Sequence, residues 1–393
     1  MKRTGDQYLV KEINLSIVLD TIRRLEPVSR SEISAATGLN KGTVSNLVQV
    51  LIGRNLVEEV GTGQSSGGRK PVLLRFQPGA GHAVGVDLGV NYIRILLTDL
   101  AGRIVDEWVT AHRNESLDAV LDLVKDGIRR AAGRAPASCY GVIGAGIGIP
   151  GIVDPSGNVL FAPNLGWRNV DLPRLLSAEL GMPVFVENEA NAGAIGELHY
   201  GSGRDIADLV FVSIGAGIGA GIIIDRAIYK GAAGFSGEIG HMTIHADGKP
   251  CRCGNRGCWE LYASESAMLA LAAEAAADGK AAPATLEAVI GLARAGDPGV
   301  MDALRAIGRN LGIGVAGIIN IFNPGQIIIG SRMGMAAEWL MEPLLAEVES
   351  RSLAYSREKT EIRFSALDGR STSLGASHLA ISAFLRDSTA ALP

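Results

Sequence analysis

Residues 82–105, HAVGVDLGVNYIRILLTDLAGRIV, decide the fold. An apolar strand ends in Asp87-Leu88-Gly89, and a hairpin meander follows it directly. Two more glycine-bearing strand segments come later: YGVIGAGIGIPGIVD at 140–154 and DLVFVSIGAGIGAGIII at 208–224. Glycine at such turns lets backbone N–H groups approach an anion closely. Each glycine run alone is weak, since a doubly wound dinucleotide fold uses similar turns. Asp87-Leu88-Gly89 and Ile214–Gly219 lie about 125 residues apart and in this order. That favours a two-lobed α/β body with a ligand cleft between related lobes. The abundance of glycine, 51 residues concentrated in such runs, reads as ligand-approach turns rather than disorder.

A different pattern precedes this body. Leu15, Val18, Leu19, Ile22 and Leu25 repeat at helical spacing, and Pro27 stops that helix. A second helix is expected near Ser31, read as an N-cap with Glu32 behind it. The run AATGLNKGTVSNLVQVLIGRNLV supplies a turn and a third helix with Val44, Leu47, Val48 and Leu51 inward. Lys41, Thr43, Ser45 and Asn46 then face outward, a polar and basic surface suited to a major groove. Two strands around a glycine/serine tip complete a winged helix-turn-helix, with Arg69 and Lys70 at the wing. Trihelical modules also mediate protein contacts, but here the turn, basic helix and basic wing occur in the expected order. Such readers work as dimers on two-fold operators.

Charge agrees with this division. Residues 1–78 hold eleven Lys/Arg against seven Asp/Glu, +4, so the remainder carries −8 of the total −4. A chain of 393 residues with 47% hydrophobic and 20% charged residues supports two or three domains. No apolar run has membrane-spanning length, and the first residues lack a signal-peptide core. Cysteine usage points to a reducing compartment, so a cytoplasmic location and no membrane partner are expected.

Three of the four cysteines fall in GFSGEIGHMTIHADGKPCRCGNRGCWE, at 234–260. His241, Cys251, Cys253 and Cys258 read His-x9-Cys-x-Cys-x4-Cys, a donor set suited to tetrahedral, structural Zn2+. A redox pair or scattered core cysteines is the alternative. Polar residues gather in FAPNLGW (Asn164), VENEANAGAIGE (Asn188, Glu189), SGEIGH (Glu238, His241) and GCWE (Glu260). Carboxylates and amides at strand ends suit a sugar, whose hydroxyls both donate and accept. The plain alternative is that these acids cap helices or pair on the surface.

Together GIGIPGIVD, VENEANAGAIGE, GAGIG, GFSGEIGH, CRCGNRGCWE and NPGQIIIGS resemble the ROK family of sugar kinases and sugar-responsive repressors, over nearly the whole chain. The winged extension, with GLNKGTVSNLV and GQSSGGRKPVLL, is similar to the xylose-operon repressors of Gram-positive bacteria within it. The resemblance implies an actin-like, sugar-kinase fold: a head at 1–80, lobe 1 at 81–186 completed by a C-terminal helix at 375–393, and lobe 2 at 187–374 carrying the zinc loop. It implies sugar contacts from Asn164, Asn188, Glu189, Glu238, His241 and Glu260, with His241 shared between zinc and the sugar side. It implies operator DNA as partner, D-xylose as effector and a homodimer or tetramer.

The sequence departs from the family's kinases at three points. Glu189 stands where they carry a catalytic Asp, Val90-Asn91 replaces Gly-Thr in the first turn, and Ala216 replaces Thr in the second. The expectation is a non-enzymatic chain. An ATP-dependent sugar kinase, a repressor for another hexose or amino sugar, and a zinc-responsive regulator are the competing readings.

Overall fold

The computed structural model describes residues 7–63, 70–112, 116–275 and 282–390. The head runs α1 (Gln7–Leu25), β1 (Val28–Ser29), α2 (Arg30–Thr37), α3 (Lys41–Gly53), β2 (Val57–Thr62) and β3 (Val72–Phe76). Leu15, Val18, Leu19 and Ile22 are buried against Val44, Leu47, Val48 and Leu51, as helical spacing requires. Leu25, at the end of the first helix, is instead exposed. The α2 cap is Ser29 rather than Ser31. The chain stays extended through Ser29 because β1 pairs with β3. Ser29 and Glu32 then close a reciprocal capping box. Gly38, at φ +72°, makes the turn between α2 and α3, where a side chain would be strained. Asn40 caps α3 by accepting from the Thr43 N–H at 2.8 Å.

The first half of the body contains β4 (His82–Leu88), β5 (Tyr92–Asp99), β6 (Ile104–Ala111), α4 (Leu117–Arg134), β7 (Val142–Ile149), β8 (Ile152–Val153), β9 (Val159–Ala162), β10 (Trp167–Val170), α5 (Leu172–Leu180) and β11 (Val184–Asn188). Then come α6 (Glu189–Tyr200), β12 (Leu209–Ile214), β13 (Ile218–Ile224), β14 (Ala227–Ile228), α7 (Glu260–Ala263), α8 (Glu265–Glu274), α9 (Leu286–Arg294), α10 (Pro298–Phe322), β15 (Gln326–Gly330), α11 (Ala337–Arg351), α12 (Ala354–Arg357), β16 (Glu361–Phe364) and α13 (Ser371–Ala390).

Two five-stranded sheets carry the same plan, β6-β5-β4-β7-β11 and β14-β13-β12-β15-β16. In each, an antiparallel meander leads into two parallel strands. The central strands are buried along their whole length, because helices cover the sheets. The first sheet runs to Asn188, two residues past the boundary read at 186. The last helix starts at Ser371, four residues before the 375 expected, and it packs on β4 and β7 of that first sheet.

That helix corrects the reading of the middle glycine run. Gly146 lies mid-strand, and a Cβ there would stand 1.8 Å from the Ala376 carbonyl oxygen. A Cβ on Gly85 would stand 1.9 Å from the Ser373 carbonyl oxygen. These glycines let α13 sit directly on the sheet rather than cradle an anion. α13 also crosses α6 closely and touches α1 of the head. Ala380, Ile381 and Leu385 belong to the same buried cluster as Leu15, Val18 and Ile22.

Candidate functional site

The turns at the ends of β4, β11 and β12 open into one cleft of about 550 Å³. All six residues read as sugar contacts, Asn164, Asn188, Glu189, Glu238, His241 and Glu260, line it. Asn188 is also the α6 cap: its Oδ1 accepts from the N–H groups of Ala190 and Asn191. Its Nδ2 donates to the Gly151 carbonyl at 3.0 Å and to Glu189 Oε2 at 3.1 Å. The amide therefore fixes the Glu189 carboxyl. Burial, with Asp87 and Glu238 nearby, pushes that carboxyl up to about 8. Burial likewise raises Asp87 to about 6, against a hydrogen bond from the Tyr92 hydroxyl at 2.9 Å. Glu238 is raised by burial and by Glu260. Near neutrality this floor offers carboxyl O–H donors as well as acceptors, which suits a neutral polyol.

Tyr92, Arg252 and Thr372 were not singled out from the sequence. Tyr92 covers the first turn, its ring 2.3 Å from where a Cβ on Gly89 would fall. Its position five residues after Asp87 was the available signal. Thr372 reaches in from α13 to donate to the Glu189 carbonyl at 3.1 Å, a contact 183 residues apart that no local pattern encodes. Arg252 donates to Asn164 Oδ1 at 3.0 Å and ties the cysteine loop to the opposite wall.

The cysteine loop folds back through the bridges Thr243–Cys258 and Pro250–Arg256. It brings the ligand atoms of His241, Cys251, Cys253 and Cys258 within 4.8 Å of one another. The four cysteines are free thiols; Cys251 Sγ lies 3.7 Å from His241 Nδ1, and Cys253 Sγ 3.7 Å from Cys258 Sγ. Burial and the neighbouring thiols push Cys258 up to about 12. Three thiolates beside Glu260 would repel one another, so this donor set fits a cation that offsets their charge. His241 turns Nδ1 to the thiols and Nε2 toward Glu238, 3.9 Å away, so it faces both the metal position and the cleft.

On the head, Lys41, Ser45 and Asn46 are exposed along α3 and Thr43 is half-buried. The Ser45 hydroxyl donates back to the Lys41 carbonyl at 2.8 Å. Lys70 is exposed beside the wing strands, whereas Arg69 lies outside the described residues. Among the described residues no helix is long and apolar enough to cross a membrane.

A cleft between duplicated sheets, floored by carboxyls and joined to a winged head, defines a sugar-kinase-like body carrying a DNA-reading module. A model of the ROK family matches residues 83–383, and one of the MarR family matches residues 16–65. The chain belongs to the ROK family. It is 42% identical to the xylose repressor of Bacillus spizizenii (strain W23) over 381 residues, 97% of this chain and 98% of the relative. The crystal structure of a ROK family transcriptional regulator, a homologue of the E. coli MLC protein, superposes with a TM-score of 0.82. It is 28% identical over 97% of this chain and 98% of that one. A Streptomyces griseus glucokinase in complex with glucose and AMPPNP gives 0.71 at 30% identity, over 77% of this chain and all of that one. The kinase thus matches the body without the head.

Proposed function

We propose that this protein is a transcriptional repressor that leaves its operator when D-xylose enters the cleft. The observation that carries the reading is α13, which packs under the cleft and shares a buried cluster with α1. Sugar in the cleft biases one relative position of the lobes, and α13 passes that bias to the head. The sugar must bind the DNA-incompetent arrangement more tightly, since equal affinity for both would shift nothing. The relatives named xylose repressors, matched along nearly their full length, support the choice of pentose.

Asn188, Glu238, His241 and Glu260 hold the sugar hydroxyls, with Asn164 near the ring and the Glu189 carboxyl fixed beside them by Asn188. His241, Cys251, Cys253 and Cys258 hold a structural Zn2+, whose charge offsets the clustered thiolates. Lys41, Thr43, Ser45 and Asn46 face the major groove, with Lys70 and Arg69 on phosphates at the wing. The protein works as a homodimer or tetramer on a two-fold site. It is no kinase: Tyr92 covers the first turn and Glu189 carries a longer side chain than the catalytic Asp.

A mobility-shift titration on the protein's own upstream DNA tests this, with xylose, glucose, N-acetylglucosamine and no sugar in parallel. Release by xylose at the lowest concentration is expected. DNA binding indifferent to every sugar would sink the effector assignment. Sugar-dependent ADP formation above a Glu189→Ala control would sink the non-enzymatic reading.

A further inference from the structure

The cleft extends well beyond the residues assigned to one sugar. A cavity of roughly 150 Å³ already accommodates a single six-membered ring, and this one measures about 550 Å³. Contacts trace where the remainder runs. Glu260 Oε2 lies 2.7 Å from where a Cβ on Gly217 would fall, so the first site abuts the β12–β13 turn. Beyond that turn, the Ser266 hydroxyl donates to the Ala216 carbonyl at 2.9 Å, and the Glu265 N–H donates to the Gly215 carbonyl at 3.0 Å. Ser213 and Ser331 pair their hydroxyls at 2.9 Å on the far wall. All these residues line the same cleft.

In a ROK kinase the far half of such a cleft would have to hold a nucleotide; here its charges are wrong for polyphosphate. Arg332 is the one lysine or arginine among the described lining residues. It lies 2.6 Å from Glu287 and 3.7 Å from Glu265, so two carboxylates already offset it. Glu260 also stands against the turn that a phosphate would occupy, so three carboxyls face one guanidinium there and the balance opposes an anion. Hydroxyls, carboxylates and the exposed Ala216 and half-buried Leu269 remain, a lining that matches the polar edge and C–H face of a sugar.

We propose that the turn at Gly215–Gly217, with Ser266, Glu265 and Leu269, forms a second subsite for a neutral sugar ring, so that the fullest ligand is a pentose disaccharide. This rests on the sugar-responsive reading above. One ring sits against Glu238, His241 and Glu260, and the second runs along the β12–β13 turn toward Arg332.

Isothermal titration of the full chain with D-xylose, a β-1,4-linked xylose disaccharide and magnesium-AMPPNP tests it. The disaccharide should bind about tenfold more tightly than xylose, and the nucleotide analogue should give no binding. Ala216→Phe, which fills the second subsite, should abolish the tenfold advantage while xylose affinity stays within about twofold. Ala216→Leu serves as a milder version, and unchanged xylose binding by either variant certifies its fold. Xylose binding with no disaccharide advantage, or an advantage indifferent to both variants, overturns the second subsite alone. Nucleotide binding in the far half overturns it as well. Failure of both sugars to bind overturns the sugar-responsive reading beneath it.

Discussion

Glu189 shows what burial among other carboxyls does to an acid. Its carboxyl is packed among Asn188, Asp87 and Glu238 with no balancing cation among the described residues, so folding favours the protonated form. An acid whose folded value is raised contributes stability that is complete below its unfolded value and is lost as pH rises through the folded one. The window here runs from the usual glutamate range to about 8. Glu189→Gln keeps the acceptor for Asn188 and removes the titration. The variant should gain on the wild type as pH rises from 5 to 9, by roughly 1–3 kcal/mol. Chemical denaturation at the two pH values checks this, and a constant difference between the proteins would show that Glu189 stays ionised. The sequence singled this residue out, and it lines the cleft. It could not reveal Thr372, which arrives from 183 residues away, and for Tyr92 it held only the spacing from Asp87.

Among the elements, α10 is set by glycines that the eye would pass over. A Cβ on Gly314 would fall 2.1 Å from the ring of Trp259. That indole is fully buried, and its N–H donates to the Asn310 carbonyl at 2.7 Å, so it has nowhere to move. Trp259 stands between Cys258 and Glu260, so α10 seats the cysteine loop through this contact. Gly291, in α9, has nothing within 4 Å of its would-be Cβ. The same substitution should therefore have opposite signs. Gly314→Ala should destabilise by about 1–3 kcal/mol through overpacking. Gly291→Ala should stabilise by about 0.5–1 kcal/mol through helix propensity. Urea unfolding of both variants decides, and a neutral Gly314→Ala would mean that the loop can shift freely. The four metal-type donors were legible because their spacing closes a small loop around them. The strand glycines misled for a physical reason: a backbone that admits an anion and one that admits a helix need the same missing side chain. Ser29 was missed as a cap because the pairing of β1 with β3, a tertiary event, decides where α2 can start.

For the whole molecule, the duplication of the two sheets was legible from the repeated strand-and-turn pattern, whereas the joint between head and body was not. Leu385 lies on α13 in the cluster shared with α1. Truncating it should weaken packing by about 2–4 kcal/mol, and its larger effect should be on coupling. Leu385→Ala should keep its direct sugar affinity within about twofold yet need several-fold more sugar to release DNA. Paired calorimetry and mobility-shift titrations read the two quantities separately. A parallel change in both would place Leu385 outside the path between cleft and head.

The position of α13 in the chain also has a consequence for how the protein is made. Every other described element precedes it, yet the floor over Gly85 and Gly146 waits for it. During translation the DNA-reading module emerges before α13, the helix that packs on it. A nascent chain stopped before residue 371 leaves an apolar sheet face uncovered. Such a product should be taken by chaperones and proteases rather than persist as a deaf repressor locked on its operator. Synthesis order would thus screen the cell against a form that could bind DNA but never be told to let go.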